Sequence, residues 1–184
     1  VRDTLKYFKK IIPELNIKSV KTNEKFGDWE VPKEWNVKDA YILDSSNNKI
    51  VDFKTNNLHL WGYSKPVNKT LNLEELQKHL YSVEDSPDVI PYVTTYYNKN
   101  WGFSMSHNQR KDLKSGKYKV VINTSLLDGE LNYGEILLNG GSKKEILISS
   151  YICHPSMANN ELSGPTVLTF LAKWISKLPN RNYT

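Results

Sequence analysis

Seven side chains able to ligate metal, hydrogen-bond or attack fall within eleven residues of the string SSYICHPSMANNELSG: Cys153, His154, Ser156, Asn159, Asn160, Glu161 and Ser163. A neutral imidazole at His154 can ligate zinc, and Glu161 can supply a carboxylate ligand or act as general base on a metal-bound water. Each has a structural alternative: a histidine at a strand end is commonly a hydrogen-bonded fixture, and an acid before a helix start is favoured by the helix dipole. Cys153 beside His154 suggests a thiol nucleophile. Neighbours on an extended strand point to opposite faces, however, so a buried, inert thiol is expected. Ser163 is excluded as a nucleophile elbow, because Glu161-Leu162-Ser163-Gly164-Pro165 lacks the first glycine of G-x-S-x-G.

Such a loop needs rigid elements on both sides. Upstream, residues 145–152 form a nearly continuous apolar run that reads as a buried strand, preceded by a strand over 133–138 and a turn at Gly140 and Gly141. Downstream, residues 165–178 read as a helix, with Pro165 in its first turn and Pro179 after its end. Strand, polar loop and helix place a site at the carboxyl edge of an α/β sheet, with His154 at the strand's end. Near the start, Leu5, Phe8, Ile11, Ile12 and Leu15 make a helical apolar stripe over 2–15, with Asp3 or Thr4 as cap and Pro13 limiting it near Ile12. A short extended segment over 17–21 follows.

From residue 37 the character changes: AYILD, KIVDF, LHLWGYS, YVTTYY and YKVVINTSL are β-like runs separated by turn signals. One helix is expected among them over 73–83, capped by Asn72 with Glu75 at the capping-box position. The twofold shift suggests an α/β unit formed by residues 1–36 and 133–184, interrupted by a β-rich insertion over 37–132. A single α+β domain without insertion is the alternative.

The 184 residues carry 25 Lys+Arg against 20 Asp+Glu, for a net charge of +5. Only Arg2, Arg110 and Arg181 are arginines, and bases alternate with acids, so nucleic-acid recognition is not expected. The single cysteine excludes an internal disulfide and fits a reducing compartment. No run approaches the roughly 18 apolar residues of a membrane span, and VRDTLKYFKK lacks a signal-peptide core, so a cytoplasmic protein without membrane partners is expected. Trp61, Tyr63, Tyr92, Tyr96, Tyr97, Trp101 and Phe103 could form a platform for a sugar or peptide, although packing within a small β-unit is the simpler reading.

The string YICHPSMANNELSGP, together with the upstream DWEVPKEWNVKDAYI, NLHLWGYSKPV, LEELQKHL, IPYVTTYY, NWGFSMSHNQR and LNYGE, resembles a bacterial aminopeptidase-like family of unknown function. This family is of the DUF4910 and DUF2172 type, accompanies polysaccharide-biosynthesis genes and is related to the M28 zinc aminopeptidases. The resemblance spans nearly all of residues 1–178. It implies an α/β fold: part of a phosphorylase/hydrolase-like α/β/α zinc-peptidase domain, interrupted by a mainly-β protease-associated-like insertion and followed in relatives by a winged helix. It also implies a metal-dependent aminopeptidase using one or two zinc ions, in which zinc-activated water attacks a peptide or related amide.

On the same resemblance His154, Asn160 and Glu161 are the metal residues and Glu161 is the catalytic base. Two departures stand out. Ser156 occupies a place where M28 enzymes carry aspartate, and Asn160 sits where the bridging aspartate belongs, an amide being a poor zinc ligand. After Glu161 there is no Asp, Glu, His or Cys before Thr184, whereas the family places its remaining ligands downstream. The chain therefore reads as an N-terminal part that is inactive alone. The expected partner is a small peptide or amide-containing substrate, with a homo-oligomer left open. The alternative function is a non-catalytic binding module of peptidase fold that recognises a glycan precursor or partner protein.

Overall fold

Tyr118, Val120, Ile122 and Thr124 are buried while Lys117, Lys119 and Asn123 face solvent, the period of two that a strand with one covered face requires. A computed structural model describes residues 1–96, 98–154 and 157–184. In chain order its elements are α1 (Arg2–Ile11), β1 (Asn16–Lys21), β2 (Lys25–Phe26), β3 (Trp29–Glu30), β4 (Glu34–Leu43), β5 (Lys49–Asp52) and β6 (Val67–Asn72). There follow α2 (Leu73–Gln77), β7 (Leu80–Tyr81), β8 (Phe103–Ser104), α3 (His107–Lys111), β9 (Lys117–Leu127), β10 (Glu130–Glu135) and α4 (Asn159–Ile175). The result is a mixed α/β fold with several small sheets, divided into two units, Lys33–Asp128 and Val1–Pro32 with Gly129–Thr184. No helix among the described residues is long and apolar enough to cross a membrane.

The Lys33–Asp128 unit is built on an antiparallel sheet of order β5-β4-β9-β6. Its inward residues Ala40, Ile42, Val51, Val67, Tyr118, Val120 and Ile122 join Leu60, Leu76, Leu80, Trp101, Phe103 and Met105 in one core. The capping box forms: Asn72 Oδ1 accepts the Glu75 N–H at 2.8 Å, and Glu75 Oε2 accepts the Asn72 N–H at 3.1 Å. The helix it starts nevertheless ends at Gln77 instead of running to residue 83. Leu80 is buried by parallel pairing of β7 with β8, opposite Phe103, so a strand takes the leucine that a longer helix would have used. LHLWGYS and YVTTYY also depart from the strand expectation, giving a 3-10 turn at Asn57–His59 and single bridges, Leu60 to Phe103 and Gly62 to Thr94. Asn72→Ala removes one cap oxygen and is expected to cost about 1 kcal/mol, read as a lower urea midpoint with unchanged slope.

In the other unit, β1 and β10 pair antiparallel from Asn16↔Glu135 to Lys21↔Glu130. A tight hairpin joins β2 to β3 through Gly27, whose φ of +63° suits a two-residue turn. Helix α1 stops before Pro13 as expected, but it starts from Val1 without a side-chain cap, so neither Asp3 nor Thr4 serves. Phe8, Ile12 and Leu15 pack with Ile11, Ile136, Ile152 and Ala172 in a small cluster.

The expected buried strand over 145–152 is not formed: those residues have no strand assignment, and Leu147 is 91% exposed. An extended run becomes a strand only where a neighbour completes its ladder. Here the backbone bonds of that region run to the tail, from Ile146 N–H to Thr184 O at 2.9 Å and from Thr184 N–H to Lys144 O at 3.0 Å. Helix α4 is apolar on more than one side. Pro165 and Thr169 are buried, while Val167, Phe170 and Trp174, at helical spacing, are exposed.

Candidate metal centre

Helical dihedrals are interrupted at Asn160 (φ −63°, ψ 137°) and at Glu161 (φ 77°, ψ −23°), so the regular part of α4 begins only after Glu161. Pro165 then lies in the first turn, where a missing N–H is least damaging. A Cβ at Gly164 would lie 2.2 Å from Ser150 Oγ, so a larger residue there would require the serine side chain to move. The left-handed residue turns the Glu161 side chain away from solvent, leaving it 7% exposed.

Once buried, that carboxylate collects donors. Glu161 Oε2 accepts the Cys153 N–H, and Glu161 Oε1 meets His154 Nδ1 in a direct hydrogen-bond contact. Cys153 Sγ lies 3.4 Å from Glu161 Oε1 and 3.4 Å from His154 Nδ1. The Cys153, His154 and Glu161 ligand atoms all lie within 4.8 Å of one another. Among the described residues no other three His, Cys, Asp or Glu side chains converge in this way.

The electrostatics follow from the packing. Burial pushes the Glu161 carboxyl up, but bonds from the Cys153 N–H and from His154 outweigh it and hold the group below its ordinary value. The Cys153 thiol is pushed up to about 11, first by burial and then by the neighbouring Glu161 carboxylate. Its sulfur therefore keeps its proton at neutral pH and donates toward Glu161. An ionised carboxylate held by several donors suits a ligand or an orienting group, because a general base works best with a pKa near the working pH. Thiol, imidazole and carboxylate are the donor types that zinc accepts, and loading such a site releases the protons now shared among them.

Of the residues singled out from the sequence, His154 and Glu161 are brought together, Asn160 is exposed, and Ser156 lies outside the described residues, as does Tyr97. Ser163 Oγ donates to Asn159 O at 2.7 Å and stays within the helix start. Cys153 corrects the expectation of a buried thiol turned away from His154. With no strand at 153–154 the alternation of faces does not apply, and the two side chains meet on the same carboxylate. The one signal that pointed to Cys153 was its place in the dense polar loop. His59, His107 and Glu135, which precede the loop, have structural partners of their own: His59 Nδ1 meets Ser104 O at 2.7 Å, His107 Nδ1 meets Ser82 Oγ at 3.2 Å, and Glu135 pairs with Lys18.

A family model described as a domain of unknown function, DUF2172, matches residues 34–125, within the unit that lacks the Cys153 group. A Clostridium acetobutylicum protein named as a candidate polysaccharide-biosynthesis protein with an aminopeptidase-like domain is 49% identical over 181 residues, covering 98% of this chain and 42% of that protein. A crystal structure from Clostridium acetobutylicum, named as a candidate peptidase, superposes with a TM-score of 0.90 at 49% identity, covering 99% of this chain and 43% of that one. The chain thus spans about two fifths of the length of the relatives it matches.

Proposed function

We propose, from the premise that the chain belongs to the DUF2172 family of domains of unknown function, that the protein carrying it is an aminopeptidase-like metallohydrolase of M28 kinship. The observation that carries this reading is the convergence of Cys153, His154 and Glu161 within 4.8 Å beside a left-handed Glu161. The peptidase and aminopeptidase-like names of the relatives support the reaction class. In this reading Val1–Pro32 with Gly129–Thr184 contributes part of an α/β/α peptidase domain of the DUF4910 type, and Lys33–Asp128 is its mainly-β insertion. The apolar residues exposed on α4 and at Ile146–Ile148 suit elements that a larger sheet covers.

Cys153, His154 and Glu161 would hold one zinc ion, and the chemistry such an ion would supply is Lewis-acid activation for hydrolysis of a peptide or related amide. The chain's own residues do the positioning. The Cys153 N–H fixes the Glu161 carboxylate, and the carboxylate in turn orients the His154 ring. Asn160 is given no ligand role, because an exposed amide competes poorly with the thiol and carboxylate beside it.

The test is turnover of an aminoacyl-nitroanilide panel by the full-length protein before and after exhaustive chelation. Turnover that falls on chelation and returns with added zinc is the expected result. Turnover that survives verified removal of metal refutes the reading.

A further inference from the structure

His79 lies flat on the buried Trp101 in the Lys33–Asp128 unit, with ring centroids 3.6 Å apart and planes 16° from parallel. Its backbone is pinned on both sides, the His79 N–H donating to Leu76 O at 2.9 Å and His79 O accepting the Phe103 N–H at 2.8 Å. Nδ1 meets Trp101 O at 3.1 Å. A carbonyl oxygen only accepts, so Nδ1 carries a proton there and the neutral ring turns its lone pair outward at Nε2. Among the described residues, the side-chain atoms sealed from solvent without a partner are Asp39 Oδ1, Asn57 Oδ1, Trp61 Nε1 and Ser104 Oγ. Nε2 of His79 has no partner either and is not one of them, so it reaches solvent.

Three lysines from three segments surround that ring. Lys78 precedes it at the end of α2, and the Lys65 N–H donates to Asn100 O at 3.1 Å, beside Trp101. Lys69 sits opposite Val120 on β6, an edge strand, and shares a sheet face with Val67 and Leu71, which pack on the core that includes Trp101. Burial first, and then the charges of Lys69, Lys65 and Lys78, hold the His79 ring below its ordinary value, against the bond to Trp101 O, which favours the charged form. The acids of α2, Glu74 and Glu75, lie in its first turn, at the opposite end from Lys78.

Elsewhere lysines are matched with acids: Lys18, Lys25, Lys33, Lys49 and Lys54 each make an ion pair. Lys65, Lys69 and Lys78 are exposed and make none among the described residues. Like charges gathered without a counter-charge repel, and an anion resting among them removes that cost. A carboxylate would balance one of the three. A phosphate group offers more charge and several acceptor oxygens, and lysine binds it as a point charge without needing a planar fork. We propose that Lys65, Lys69, Lys78 and His79 form a binding site for a phosphate group. This inference is independent of the hydrolase reading and concerns the other unit.

The test is titration of the full-length protein, labelled at histidine, with pyrophosphate and with methyl phosphate at neutral pH, following the His79 ring signal by NMR. The signal, assigned by its loss in His79→Gln, is expected to move saturably toward its protonated position with at least one of the two, and the tighter ligand separates a free from an esterified phosphate. Affinity is expected to fall about tenfold in Lys69→Ala and further in Lys65→Ala/Lys69→Ala, both keeping the wild-type thermal midpoint. A His79 signal that neither ligand moves, or that sodium chloride of equal ionic strength moves as far, overturns the proposal. Wild-type affinity in the double variant also overturns it.

Discussion

His154→Ala and Glu161→Gln are each expected to lower the zinc affinity of the protein carrying this chain by about a hundredfold or more. Each removes one of three donors that lie within 4.8 Å of one another, and two remaining donors hold zinc poorly. Glu161→Gln is the more informative change. The amide is nearly isosteric and its carbonyl can still accept the Cys153 N–H, so the loop's main tether survives while the anionic ligand does not. Cys153→Ser should give a comparable loss, because a hydroxyl ligates zinc poorly and carboxylate and imidazole are again the only two donors left. Zinc content by elemental analysis and competition with a chromophoric chelator measure these effects, with circular dichroism as the check on folding. Wild-type affinity in Glu161→Gln would remove the metal centre from consideration.

Phe103→Ala is expected to destabilise the Lys33–Asp128 unit by about 3–5 kcal/mol. Phe103 is fully buried, pairs with Leu80 across β7 and β8, bridges to Leu60, and donates its N–H to His79 O at 2.8 Å. Truncating its ring leaves a cavity at a junction of backbone bonds that resist collapse, so little of the lost packing is recovered. Set against a typical domain stability of about 5–15 kcal/mol, that is a large share. Urea unfolding followed by tryptophan fluorescence should show a much lower midpoint at similar slope. Leu147→Ala, at a side chain 91% exposed, is the matched control and should change stability by less than about 0.5 kcal/mol. Equal behaviour of the two variants would contradict the core assignment.

Much of this was legible in the chain itself, element by element. The alternation at Tyr118, Val120, Ile122 and Thr124 is a local pattern, and so is the Asn72–Glu75 capping box; both can be read without knowing what packs on them. His154 and Glu161 also stand out in the sequence as polar residues of one loop, and their side chains meet in the structure. Residues 73–83 misled because a leucine at helical spacing, Leu80, is equally well buried by a strand. YVTTYY misled because β-rich composition does not say whether a ladder partner is present.

By itself, then, the sequence determined the β-rich character of the middle of the chain, the stop of α1 at Pro13 and the chemical identity of the residues around position 154. These depend on side-chain type and on contacts between near neighbours. The tertiary structure alone decided that residues 145–152 stay out of a sheet, that Cys153 turns toward His154, and that Glu161 adopts a left-handed backbone with its carboxylate buried. Those outcomes depend on which distant backbone groups complete a hydrogen-bond ladder and on which donors surround a buried charge. No periodicity along the chain encodes either.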